Sequence, residues 1–124
     1  MIVVIKRPGQ LAERAEIGES LETMQAVIGG YVEVALNDRE GPSDTVWCAM
    51  WCDEEGLLKP DKLPCVRRPT DGHVIVGTVV VTGMRMTTDG AAWCSIPEDA
   101  IGRWRLSLDV WSVTNDFPSY PTNN

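Results

Sequence analysis

The sequence predicts an α+β domain: a single mixed β-sheet of five to seven strands with one or two packed helices. Three observations carry this expectation. Apolar runs rich in β-branched residues recur at strand length, as in "IVVI" (2–5) and "VIVGTVVVTG" (74–83). After Ser20 the pattern changes to helical period, with Leu21, Met24, Val27 and Ile28 on one stripe. Clusters of Gly, Pro, Asn and Asp punctuate the intervals between these segments. A chain of 124 residues holds one core and is too short for two, so residues 1–113 are read as one domain. Residues 114–124, "TNDFPSYPTNN" after Val113, are read as a polar C-terminal tail.

Each element has its own justification. "IVVI" is bounded by Lys6-Arg7-Pro8-Gly9 and reads as a short buried strand followed by a turn. "LAERAEI" (11–17) fits a strand or a short helical piece, with the strand preferred. Ser20 is a suitable N-cap, Glu22 suits the positive end of the helix dipole, and Gly29-Gly30 stops the helix. "YVEVAL" (31–36) alternates as a strand, and "NDREGPSD" (37–44) is an exposed loop. Residues 45–52 form the next strand, and "DEEG" a tight turn. "LLKPDKLPCVRRPTDGH" carries three prolines in seventeen residues and reads as an ordered meander. "VIVGTVVVTG" is expected as one central strand, and "MRMTTDGAAWCSI" as a hairpin turning at Asp89-Gly90. Pro97, Glu98 and Asp99 open a second helix running to about Leu108.

Composition narrows the function classes. Hydrophobic residues make up 44% and charged residues 23%, ordinary for a globular chain. The formal net charge of −7 gives little long-range attraction to nucleic acid or an anionic membrane, so neither is expected as a partner. It is compatible with a cationic protein partner, because a dense acidic surface can imitate DNA. "MIVVIKRPG" is too short an apolar run for a signal peptide, and no run reaches the ~20 apolar residues of a membrane helix. A cytoplasmic location follows as the expectation, with Cys48, Cys52, Cys65 and Cys94 as reduced thiols.

The segment "TVWCAMWCDEEG" (45–56) raises the sharpest question. On a strand Cys48 and Cys52 share a face about 13 Å apart at ~3.3 Å per residue. Two sulfurs on one zinc lie within about 4 Å of each other. A regular strand therefore rules out their sharing a metal, and Cys65, Cys94 and His73 form no second pair, so no metal or cofactor is expected. Val46, Cys48, Met50 and Cys52 make a core-type face; Trp47, Ala49 and Trp51 share the opposite one. That second face calls for cover by a helix or sheet neighbour, by a second chain, or by a flat ligand lying over Ala49. Five tryptophans against one Phe and two Tyr raise association of some kind. Trp104 and Trp111, seven residues apart, fall on one helical face if the helix persists.

An anionic ligand would need local donors. Lys6-Arg7, Arg67-Arg68 and Arg103/Arg105 are the candidates. "RRPTDGH" (67–73) is the best single loop, with two guanidiniums, a hydroxyl, a turn and the only histidine, His73. No hydrolase triad, P-loop, dinucleotide fingerprint or kinase signature is present, so no catalytic residue is assigned and no enzyme is expected. The candidate ligand-binding residues are Trp47, Trp51, Arg67, Arg68 and His73.

"MIVVIKRPGQ", "EIGESLETMQAVIGGYVEV", "CDEEGLLKPDKLP" and "VIVGTVVVTG", in that order, resemble a small domain family of unknown function. The family occurs in bacteriophages and mobile elements of Gram-positive bacteria. It shows an IVVIK-x-PG opening, a helix ending in VGGYIE, an NEEG-type turn and an IVG strand. The resemblance implies an accessory protein acting in the cytoplasm of a host bacterium. It suggests a counter-defence protein that sequesters a nucleotide-derived immune signal without catalysis, and the tryptophan content adds the expectation of a homo-oligomer. The alternative is an acidic, DNA-mimicking inhibitor of a host defence or regulatory protein, and the third reading is a nucleotide-cleaving enzyme.

Overall fold

The computed structural model describes residues 1–39 and 45–113. Part of the expected exposed loop (40–44) and the expected tail (114–124) lie outside the described residues. Eight strands and two helices appear in chain order: β1 Ile2–Lys6, β2 Glu13–Glu16, α1 Leu21–Ile28, β3 Val32–Asn37, β4 Val46–Asp53, β5 Pro64–Arg67, β6 Val74–Val76, β7 Val79–Thr87, β8 Gly90–Cys94 and α2 Ile101–Val110. Six strands form the main sheet in the order β2-β1-β7-β4-β3, with β8 also paired to β7. β5 and β6 form a second, two-stranded sheet. The α+β class expected from the sequence is thus the class observed. The sheet is antiparallel at every pairing rather than mixed. The pairs β1–β2, β3–β4 and β7–β8 are each consecutive in the chain, and neighbours joined by reversals run antiparallel.

Both faces of the main sheet are covered, which explains the near-continuous apolar runs in β1 and β7. Val4, Cys48, Met50, Cys52, Val79 and Val81 point to one side and pack with Ile101, Trp104 and Leu108 of α2 and with Cys65, Val66 and Ile75 of the small sheet. Val3, Ile5 and Val80 point to the other side, against Met24 and Ile28 of α1. Ser20 caps α1 by accepting from the Thr23 N–H, and Gly29 closes it at φ 85°. The apolar stripe is narrower than its spacing suggests: Leu21, in the first turn, is 52% exposed.

The run 74–83 is not one strand. Gly77 takes φ 88°, and the chain passes from β6 in the small sheet to β7 at the centre of the large one. The partner of β6 lies inside the proline-rich stretch expected as a meander. Pro64 is tolerated there because it is the first residue of β5. The β7–β8 hairpin forms, but it turns over Thr88-Asp89, one residue earlier than expected, with Gly90 already paired opposite Thr87. Pro97 introduces a short 3-10 turn, Glu98–Ala100, before α2.

One polar knot ties α1 to the end of β4. The Asp53 carboxylate is wholly buried and accepts from Lys59 Nζ at 2.7 Å and Lys62 Nζ at 2.9 Å. Both ammonium groups also donate to the Gly29 carbonyl, and Lys62 donates to that of Ile28. The carbonyls of Ile28 and Gly29, at the C-terminus of α1, are thereby satisfied. Gly30 lies so close to this carboxylate that any Cβ there would run into it.

Candidate functional site

The expected site residues divide between the two sides of the main sheet. Trp47 and Trp51 lie on the α1 side, as the alternation along β4 predicts. Trp51 Nε1 donates to Thr82 Oγ1 at 3.0 Å, and its ring meets Trp93 edge-on at 5.7 Å. Trp47 Nε1 donates to Asn37 Oδ1 at 2.9 Å, and the Arg39 guanidinium sits 4.4 Å from its ring centroid. Met84 lies opposite Trp47 across the ladder, with Trp93 opposite Met84 in turn. Ala49 is only 1% exposed, so the position over it is filled by the chain's own side chains. This face is covered from within.

Arg67, Arg68 and His73 lie on the α2 side, where the small sheet packs. Their roles separate sharply. Arg68 donates through Nε and Nη2 to the Asp71 carboxylate at 2.9 and 2.6 Å, and through Nη1 to the Ala35 carbonyl at 3.1 Å. It is a strap between the loop and edge strand β3. The Arg68 guanidinium, helped by the His73 N–H, holds the Asp71 carboxyl well below the usual carboxylate range. His73 is largely exposed, with Nδ1 3.5 Å from Asp71. Arg67 donates from Nη1 to the Gly72 carbonyl at 2.8 Å, and among the described residues no carboxylate pairs with it.

Arg67 therefore brings a charge with no carboxylate partner among the described residues to a groove of about 610 Å³. Its walls are the 67–72 loop on one side and Val110, Trp111 and Ser112 at the end of α2 on the other. Trp111 is half-buried, lines the groove and meets Trp104 edge-on at 5.9 Å, an arrangement that steadies the indole. The backbone locks this geometry, with the Arg67 N–H donating to the Trp111 carbonyl and the Val113 N–H to that of Cys65. The seven-residue spacing of Trp104 and Trp111 was the sequence signal for this side of the groove. The loop chemistry was the other.

The remaining candidate cations have other employment. Lys6 is 1% exposed and its ammonium closes the first turn on the carbonyls of Arg7 and Gln10. Arg7 pairs with Glu13, and Arg105 donates to the Ala12 carbonyl. Arg103 lines two smaller cavities, of about 250 and 230 Å³, along the flank of α2. Trp47 borders the smaller of these.

The thiols lie within the fold. Burial pushes Cys52 and Cys65 up to about 11 and raises Cys48 and Cys94 as well. Cys52 and Cys65 are therefore almost entirely protonated at neutral pH, the unreactive form. In the folded protein at pH 8, Cys94 should react with a thiol-specific disulfide reagent first, because it alone is not fully buried. The other three should wait for unfolding, a burst of one equivalent followed by three on adding denaturant. Simultaneous modification of all four would contradict this packing. Among the described residues no group of three or more His, Cys, Asp or Glu side chains is placed to hold a metal. Among the described residues no helix is long and apolar enough to cross a membrane.

No curated protein and no solved structure matches the chain. A family model does match, over residues 1–108, from β1 almost to the end of α2. The chain therefore belongs to that family, described as a domain of unknown function (DUF3846).

Proposed function

We propose that this domain is a non-catalytic binding protein for a small, planar, anionic ligand of the nucleotide class, held in the groove between Arg67 and Trp111. One observation carries the reading: an arginine with no carboxylate partner among the described residues and an indole held edge-on by its neighbour line the same groove of about 610 Å³. That size suits a small-molecule site. Guanidinium donors suit a phosphate, and an aromatic face suits a base. Arg68 braces the loop that carries this site, while Trp47 and Trp51 lie on the other side of the main sheet. The family likeness supports a wider setting in which a phage or mobile-element protein, working as a homo-oligomer in the host cytoplasm, withholds a nucleotide immune signal.

Native mass spectrometry with a panel of cyclic and ADP-ribose-type nucleotides tests the reading. A retained ligand should return unchanged on denaturation, and Arg67→Ala and Trp111→Ala should each weaken binding about tenfold or more. Products in place of the intact ligand would favour the nucleotide-cleaving enzyme. Retention of nothing from the panel would overturn nucleotide binding. The net charge of −7 favours the second reading, an acidic inhibitor of a host protein. That reading predicts DNA-competitive binding to a basic defence protein and indifference to every nucleotide.

A further inference from the structure

We propose that the ligand is a two-unit nucleotide, two ribose groups joined through phosphate, and that Arg103, Asp38 and Ser107 hold its second unit. The inference rests on the Arg67–Trp111 reading and deepens it. Among the described residues the main groove offers one guanidinium free of carboxylates, because Asp71 pairs with the charge of Arg68. One phosphate and one base exhaust its chemistry.

A second chamber of about 250 Å³ adjoins it, and Pro69 and Trp111 line both. This chamber repeats the donor set of the first: the Arg103 guanidinium beside the Trp104 indole, its charge 5.6 Å from the ring centroid. It adds what the first lacks, the Asp38 carboxylate and the Ser107 hydroxyl. A carboxylate accepts from ribose hydroxyls, a serine exchanges with them, and a guanidinium donates to phosphate oxygens. Arg103 and Asp38 hold one another by a single contact at 3.3 Å, with the side chains 58% and 34% exposed. Exposed pairs of this kind are worth little, so a ligand can enter between them and offer each a better partner.

Titration calorimetry with AMP, ADP-ribose and cyclic di-AMP on the full chain tests the proposal. At least one two-unit ligand should bind about tenfold or more tightly than AMP. Arg103→Gln and Asp38→Asn should erase that advantage while leaving AMP affinity unchanged. Both side chains are exposed enough for the variants to fold, and unchanged melting curves would verify it. Equal binding of AMP and both two-unit ligands would overturn the second unit and leave the Arg67–Trp111 site standing. So would an advantage that survives both substitutions. Failure of AMP and both larger ligands to bind would overturn the two proposals together.

Discussion

Replacing Asp53 with alanine is expected to lower the unfolding free energy by about 3–5 kcal/mol, the range for removing one partner of a buried ion pair. The carboxylate has no exposed surface and accepts two ammonium groups as well as the Glu55 N–H. Without it, Lys59 and Lys62 remain held over the C-terminal carbonyls of α1 with no negative charge to answer them. Chemical denaturation followed by far-UV circular dichroism measures the loss. A change below about 1 kcal/mol would show that the knot is solvated and contributes no more than a surface pair.

The same group sets an acid limit on stability. Burial by itself would raise the Asp53 carboxyl, but the lysines and the Glu55 N–H outweigh it and bring it from 3.8 down to about 2. A carboxyl depressed in the folded state stabilises above its unfolded value, and that contribution fades as pH falls through the folded one. The loss should therefore run from about pH 4 to pH 2 and amount to about 2 kcal/mol. Asp53→Asn should flatten the stability profile in this window.

Trp104→Ala is expected to cost about 3–5 kcal/mol, the usual penalty for emptying a core site of this size. Trp104 is 2% exposed and packs in the core with Cys48, Met50 and Val81. It also buttresses Trp111 edge-on, so its loss should loosen the wall of the main groove. Two readouts should move together: a lower melting temperature and weaker nucleotide binding. Trp104→Phe keeps much of the volume and should recover most of the stability. A wild-type melt for Trp104→Ala would mean that α2 is not anchored by this ring.

Much of the framework was legible because it is written in local periodicity. Ser20 bounds α1 through its hydroxyl, and Gly29 through the lack of a Cβ that would oppose a positive φ. The alternation along 46–52 sorted thiols from indoles before any contact was known, since successive strand residues must face opposite ways. The break at Gly77 was harder, because β-branched residues on both sides hide a change of sheet made at a left-handed φ. β5 was missed for a related reason: four residues opening on a proline acquire strand character only from pairing with β6.

The site shows the same division. The sequence by itself determined which residue types were available: guanidiniums in the 67–73 loop, indoles at a helical spacing, and core-type thiols. It could not determine how those guanidiniums would be spent. Arg68 is consumed by Asp71 and the β3 edge while Arg67 faces the groove, and the difference lies in partners contributed by other segments. Nor could spacing show that Trp47 and Trp51 would be covered from within while Trp111 borders the groove. Periodicity is a property of neighbours along the chain and is fixed locally. Which donor finds a carboxylate, and which ring borders a groove, depends on what the tertiary structure brings against it.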